Sequence, residues 1–234
     1  MKLKLILIAV VFISFTNPVT NDYKKDFGND YTHAVQWLQL NSTCFQQAGG
    51  LFNIPANDLK AIVFPELIRY NTVYDAIEIN SLKYLYVSEG KDYADFSVGN
   101  FQMKPSFAEM VEQDANQYLD AAFLQLSGFD KLKGITDNEA ARKERIIRIT
   151  STQQQLIYLC AFYKICDAKF ADKSFYSVNE KIKFYATCYN AGYRRSYKNI
   201  LAVQAKKYFY TGEFFTTARY NYADISNYYF ELEK

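Results

Sequence analysis

Ser97-Val98-Gly99-Asn100-Phe101-Gln102-Met103-Lys104-Pro105-Ser106 is a glycine turn that runs straight into a helix start. Gly99 has no Cβ, so other atoms can approach its backbone closely. Gln102 offers both a donor and an acceptor, which suits an acetamido group. Pro105 has its φ preset for the first position of a helix, and Ser106-Phe107-Ala108-Glu109 has capping-box spacing. A helix is therefore expected to start here and to run towards Leu126. By itself the stretch is an ordinary turn, and its weight comes from two other segments.

The first lies upstream, in Phe64-Pro65-Glu66-Leu67-Ile68-Arg69-Tyr70. Asp58 caps an expected helix whose apolar positions include Leu59, Ile62, Val63, Leu67 and Tyr70. With Leu59 at 0° on a helical wheel, Val63 falls at about 40° and Glu66 at about 340°. Glu66 is thus an acid centred on an apolar stripe. A buried carboxylate is costly unless paired, so burial raises its pKa. A carboxyl kept protonated near neutral pH is what a general acid needs at a glycosidic oxygen. The same position equally suits a structural ion pair, and Pro65 removes a backbone bond that would keep the helix straight. The second segment is Tyr189-Asn190-Ala191-Gly192. It closes a helix that opens at the capping box Ser177-Val178-Asn179-Glu180 and carries Ile182, Tyr185, Ala186 and Tyr189 on one stripe. Tyr189 sits at the end of that stripe, with its hydroxyl placed to reach a partner.

An acid, a Gly-x-x-Gln-Met turn and a Tyr-Asn-Ala-Gly segment, in that order, resemble the lysozyme-like fold of soluble lytic transglycosylases and goose-type lysozymes. Glu66 matches the family's catalytic acid. Gly99, Phe101, Gln102, Met103 and Pro105 resemble its Gly-Leu-Met-Gln turn, and Tyr189, Asn190, Ala191 and Gly192 match its Ala-Tyr-Asn-Ala-Gly segment. The resemblance spans Leu59 to Gly192. It implies a mainly α (α+β) lysozyme-like domain and cleavage of the MurNAc–GlcNAc β-1,4 linkage of peptidoglycan. It implies Gly99, Phe101, Gln102, Met103, Tyr189 and Asn190 as substrate-binding positions, with no cofactor and no metal. Transglycosylases of this kind use one Glu as acid and then base, whereas a hydrolytic lysozyme needs a second carboxylate or a positioned water. Asp92 and Asp95, just ahead of the turn, are the candidates for that second group, with Glu78 and Glu89 behind them. A non-catalytic wall-binding or scaffold protein on the same frame, as part of an envelope complex, is the third reading.

Composition narrows the field. The single His33 leaves almost nothing for a zinc site or a Ser-His-Asp triad. Once Lys2 and Lys4 are set aside, basic residues equal the 25 acidic ones, so there is no electrostatic case for a nucleic-acid partner. Residues 1–21 read as a signal peptide, with the apolar run Leu5 to Phe15 too short to span a membrane. Export to the periplasm or the extracellular space follows, with membrane association only through an uncleaved signal. Cys44, Cys160, Cys166 and Cys188 are either disulfide-bonded or buried as small apolar residues. Cys160 and Cys166 face different ways on one helix and make a poor pair.

The remaining chain divides into an N-terminal extension at 22–57, the lysozyme-like domain at 58–210 and an aromatic tail at 211–234. Ile77 to Ser88 has a strand-like composition and reads as a short β-hairpin before Gly90. Asp130 to Arg148 reads as a loop and a solvated helix, Gln153 to Phe170 as a core helix, and Ser196 to Tyr210 as a last helix. The tail's rings, Phe214, Phe215, Tyr220, Tyr222, Tyr228, Tyr229 and Phe230, either pack back on the body or face a glycan.

Overall fold

One helix organises the molecule. Among α1 (Tyr23–Phe27), α2 (Asn29–Leu40), α3 (Ser42–Phe52) and α4 (Ala56–Arg69), the last is buried without a break from Asp58 to Ile68. A helix buried on all sides belongs at the centre of a bundle, and α4 touches α2, α3, α9, α10 and α12. The computed structural model describes residues 21–69, 76–132, 134, 137–210 and 218–233. The signal-peptide stretch, apart from Asn21, lies outside them, as do Phe214 and Phe215 of the tail. The chain is mainly helical, continuing through α5 (Ala76–Glu89), α6 (Pro105–Tyr118), α7 (Ala121–Ser127), the 3-10 turn η1 (Phe129–Leu132) and α8 (Glu139–Thr150). It then runs through α9 (Thr152–Lys169), α10 (Val178–Ala191), α11 (Tyr197–Gln204) and α12 (Tyr222–Leu232). Among the described residues, β-pairing is limited to isolated antiparallel bridges, Val98 with Met103 and Phe209 with Tyr220. No helix among them is long and apolar enough to cross a membrane.

The expected hairpin at Ile77 to Ser88 is instead α5. Leu82 and Tyr86 are four residues apart and pack inward together on one helical face. The helix end is held by Arg142, whose Nη1 donates to the carbonyls of Val87 and Ser88 at 3.4 and 2.9 Å, the kind of partner that last-turn carbonyls need. Two helix starts shift as well. α4 begins at Ala56, so Asp58 lies inside its first turn and accepts from the Tyr163 hydroxyl at 2.6 Å. α6 begins with Pro105 at its first turn and ends at Tyr118, where Asp120 caps a separate α7 by accepting from the Phe123 amide at 2.7 Å. The box at Ser177 does cap α10, accepting from the Glu180 amide at 3.2 Å.

The N-terminal helices and α12 join one continuous core with α4. Tyr31 meets Phe64 edge-on at 5.1 Å, and Tyr229 stacks on Phe64 at 4.2 Å. The described rings of the tail therefore pack inward rather than forming an exposed surface, with Tyr222, Tyr229 and Phe230 all buried. All four cysteines are free, and Cys160, Cys166 and Cys188 are wholly buried. Burial pushes the Cys160 thiol up to about 12.

Candidate active site

Despite Pro65 in its interior, α4 continues to Arg69 and Glu66 stays inward, only 5% exposed. Its Oε2 has no hydrogen-bond partner. Among the described residues the cation beside it is Arg69, one turn on, with Nη1 3.9 Å from Oε2, beyond hydrogen-bonding reach. Two tyrosine hydroxyls are tied to backbone carbonyls around the acid. Tyr222 of α12 donates to Ile62 O at 3.0 Å, and Tyr189 of α10 donates to Phe101 O at 2.7 Å. Burial pushes the Glu66 carboxyl up to about 7, against the pull of the Arg69 charge and the nearby Tyr222 hydroxyl. Burial, and after it the Glu66 charge, hold Tyr189 and Tyr222 well above the ordinary range for tyrosine. All three groups are therefore neutral at pH 6.

The three motif segments meet at one pocket of about 110 Å³. Glu66 and Arg69 form one wall, Ser97, Gln102 and Met103 the second, and Tyr189 and Asn190 the third, with Lys104 and Phe107 at the edge. At about 30 Å³ per liquid water, the pocket takes a substituent or one edge of a ring rather than a disaccharide. Gln102 itself has φ +48°, a left-handed conformation uncommon for a residue with a side chain. Its Nε2 donates to Gly99 O at 2.9 Å.

Gly99 and Phe101 lie behind the pocket. Phe101 is fully buried, 5.9 Å from the Trp37 ring and 5.8 Å from Phe45. Gly99 has φ +67°, and a Cβ there would stand 2.4 Å from Gln155 Nε2. Gln155, wholly buried on α9, is the residue that shapes the turn. Its Nε2 donates to Val98 O at 2.6 Å and Ile149 O at 2.8 Å, and its Oε1 accepts from the Phe101 amide at 3.3 Å. Gly99 is thus required for close packing against a side chain. Gly99→Ala is expected to destabilise by about 1–3 kcal/mol, from left-handed strain plus displaced Gln155. Urea denaturation checks this, and a loss under about 0.5 kcal/mol, typical of an unconstrained surface site, would show that Gln155 yields freely.

Asp92 and Asp95, considered as a second carboxylate, do not line the pocket. Asp92 is exposed, and Asp95 caps α6 by accepting from the Ser106 amide at 3.0 Å and the Ser106 hydroxyl at 2.8 Å. Glu89 is exposed at the end of α5, and the Glu78 side chain lies outside the described residues. Among the described residues, Glu66 is the only carboxylate in the pocket wall.

A larger cavity of about 690 Å³ lies along α6 and α8. Its buried charges are matched to one another. Arg145 Nε sits 3.0 and 2.9 Å from the two Glu112 oxygens, its Nη1 donates to the Tyr86 hydroxyl at 2.6 Å, and Lys91 meets Glu109 at 2.5 Å. Glu66, the Gly99 turn and the Tyr189 segment do not line it.

Sequence reasoning missed Gln155, Tyr222 and the Arg69 environment. Gln155 did leave a signal. It shares a stripe with Leu159, Phe162 and Cys166, all buried, so it is a polar residue on an apolar face just as Glu66 is. Tyr222 left none, because it reaches Glu66 from a distant part of the chain. Comparison with protein-family models, curated proteins and solved structures gives no match.

Proposed function

We propose that the protein is an exported lytic transglycosylase that cleaves the MurNAc–GlcNAc β-1,4 linkage of peptidoglycan with Glu66 as its single acid and base. One observation carries this reading. Glu66 is a buried acid held up to about 7, lining with Gln102 and Asn190 a pocket with no second carboxylate in its described wall.

In this mechanism the Glu66 carboxyl gives its proton to the bridging glycosidic oxygen as the C1–O bond breaks. Positive charge grows at C1 and is met by the acetamido oxygen of the same sugar, with Gln102 and Asn190 orienting that group. The Glu66 carboxylate, now beside Arg69, takes the proton of the C6 hydroxyl, which closes on C1. The product is a 1,6-anhydro end, and Glu66 is protonated again. Proton count balances without water, which fits an acid with no second carboxylate among the described residues of its pocket wall.

Purified protein is expected to clear cell-wall suspensions, with the rate falling as pH rises through about 7 and the acid ionises. A Glu66→Gln variant that clears walls at the wild-type rate would rule the reading out. Wall binding without cleavage is the second reading, favoured by the small pocket of about 110 Å³. It expects sedimentation with wall material, no product, and no change on Glu66→Gln.

A further inference from the structure

The Arg69 guanidinium lies 5.0 Å from the Tyr210 ring centroid and 5.9 Å from that of Phe209, both within cation–π range. Arg219 approaches the same Tyr210 ring at 5.1 Å. These aromatic residues belong to the segment paired back on itself at the Phe209–Tyr220 bridge, whose two backbone bonds measure 3.1 and 2.7 Å. Phe209 is anchored in turn by an edge-on contact with Tyr222 at 5.0 Å. The segment that contacts Tyr222 through Phe209 therefore also contacts Arg69.

That arrangement leaves Arg69 Nη1 at 3.9 Å from Glu66 Oε2, although the two side chains are one helical turn apart, a spacing that normally allows a direct pair. We propose that Tyr210 is a positioning residue, its ring holding the Arg69 guanidinium short of a hydrogen-bonded ion pair and so preserving Glu66 as a proton donor. The proposal deepens the single-acid reading above and rests on it for its functional meaning, but its physical content is testable without any substrate.

The other groups facing Glu66 do not replace Arg69 in this role. Tyr189 and Tyr222 are neutral and tied to carbonyls. Lys104, at the pocket edge, lies 3.7 Å from Asp95. Arg69 is thus the cation whose distance matters. Closing it from 3.9 Å to a hydrogen-bonded separation of about 2.8 Å would lower the Glu66 pKa by about one unit at an effective dielectric constant near 20.

The test is a carbon-13 NMR titration of glutamate carboxyls in the full chain, with the Glu66 signal identified by its loss in Glu66→Gln. Tyr210→Ala is expected to move the Glu66 midpoint down by about one unit, and Tyr210→Phe, which keeps the ring, to leave it in place. Tyr210 is 43% exposed, so the substitution should be tolerated, and Tyr210→Leu serves if the alanine variant does not fold. An unchanged or raised midpoint in the ring-less variants overturns the proposal, as does an equal shift in Tyr210→Phe. A shifted midpoint in a protein without wall-cleaving activity would sustain the positioning role and defeat the transglycosylase reading instead.

Discussion

Glu66→Gln is expected to abolish wall cleavage and at the same time to make the protein more stable above pH 7. The Glu66 carboxyl is raised from 4.5 to about 7 in the folded state, so the folded state binds the proton more tightly than the unfolded chain does. Its stabilising contribution is complete below about pH 4.5 and is lost as pH rises past about 7. About 2.5 pKa units correspond to roughly 3 kcal/mol. Glutamine has nearly the same shape and never ionises, so it escapes that loss. The urea midpoints of the two proteins should diverge steadily between these limits, with the variant ahead by up to about 3 kcal/mol at pH 8. Parallel curves across that range would mean that Glu66 is not a buried acid. A stability cost at the residue proposed to react is a known trade between activity and stability.

Arg145→Ala is the second large effect, and it concerns the frame instead of the pocket. Arg145 is 8% exposed and joins α8 to α6 and α5 through Glu112, Glu109 and Tyr86. Burial opposes its charge, but the hydrogen bonds and charge of Glu112, helped by Tyr86, hold it above the ordinary arginine value. Removing it leaves two carboxylates buried at 6% and 8% exposure, and among the described residues Lys91 stays paired with Glu109 alone. Breaking such a group from one side costs about 3–5 kcal/mol. Replacing Arg145 with Met and both acids with Gln together should recover most of that loss, because no charge is then stranded. Denaturant midpoints measure both variants. A loss below about 1 kcal/mol for Arg145→Ala would put the pair in the class of exposed ion pairs.

The parts of the site carried by local pattern were legible from sequence, and those carried by distant contacts were not. Glu66 was visible because 3.6-residue periodicity puts an acid where an apolar residue belongs, and the structure buries it there. The turn and Tyr189 were visible as segments, and the structure brings Gln102, Met103, Tyr189 and Asn190 to the same pocket. The close packing at Gly99 was not legible because its neighbour, Gln155, lies 56 positions further along the chain. Misreading α5 as a hairpin had a different cause. Tyr84, Tyr86 and Val87 favour strands by composition, while the deciding contacts, Tyr86 with Glu109 and Arg145, are tertiary. Arg145 likewise looked like one charge among many on a solvated helix. Nothing in its neighbourhood of sequence announces two buried acids on another helix.

Mass spectrometry of peptidoglycan digested by the wild-type protein and by Glu66→Gln tests the central claim most directly. A single acid–base Glu, with no second carboxylate in the described pocket wall, predicts muropeptides ending in 1,6-anhydro sugars from the wild type and none from the variant. Reducing ends from the wild type, or anhydro ends that persist in the variant, would contradict it.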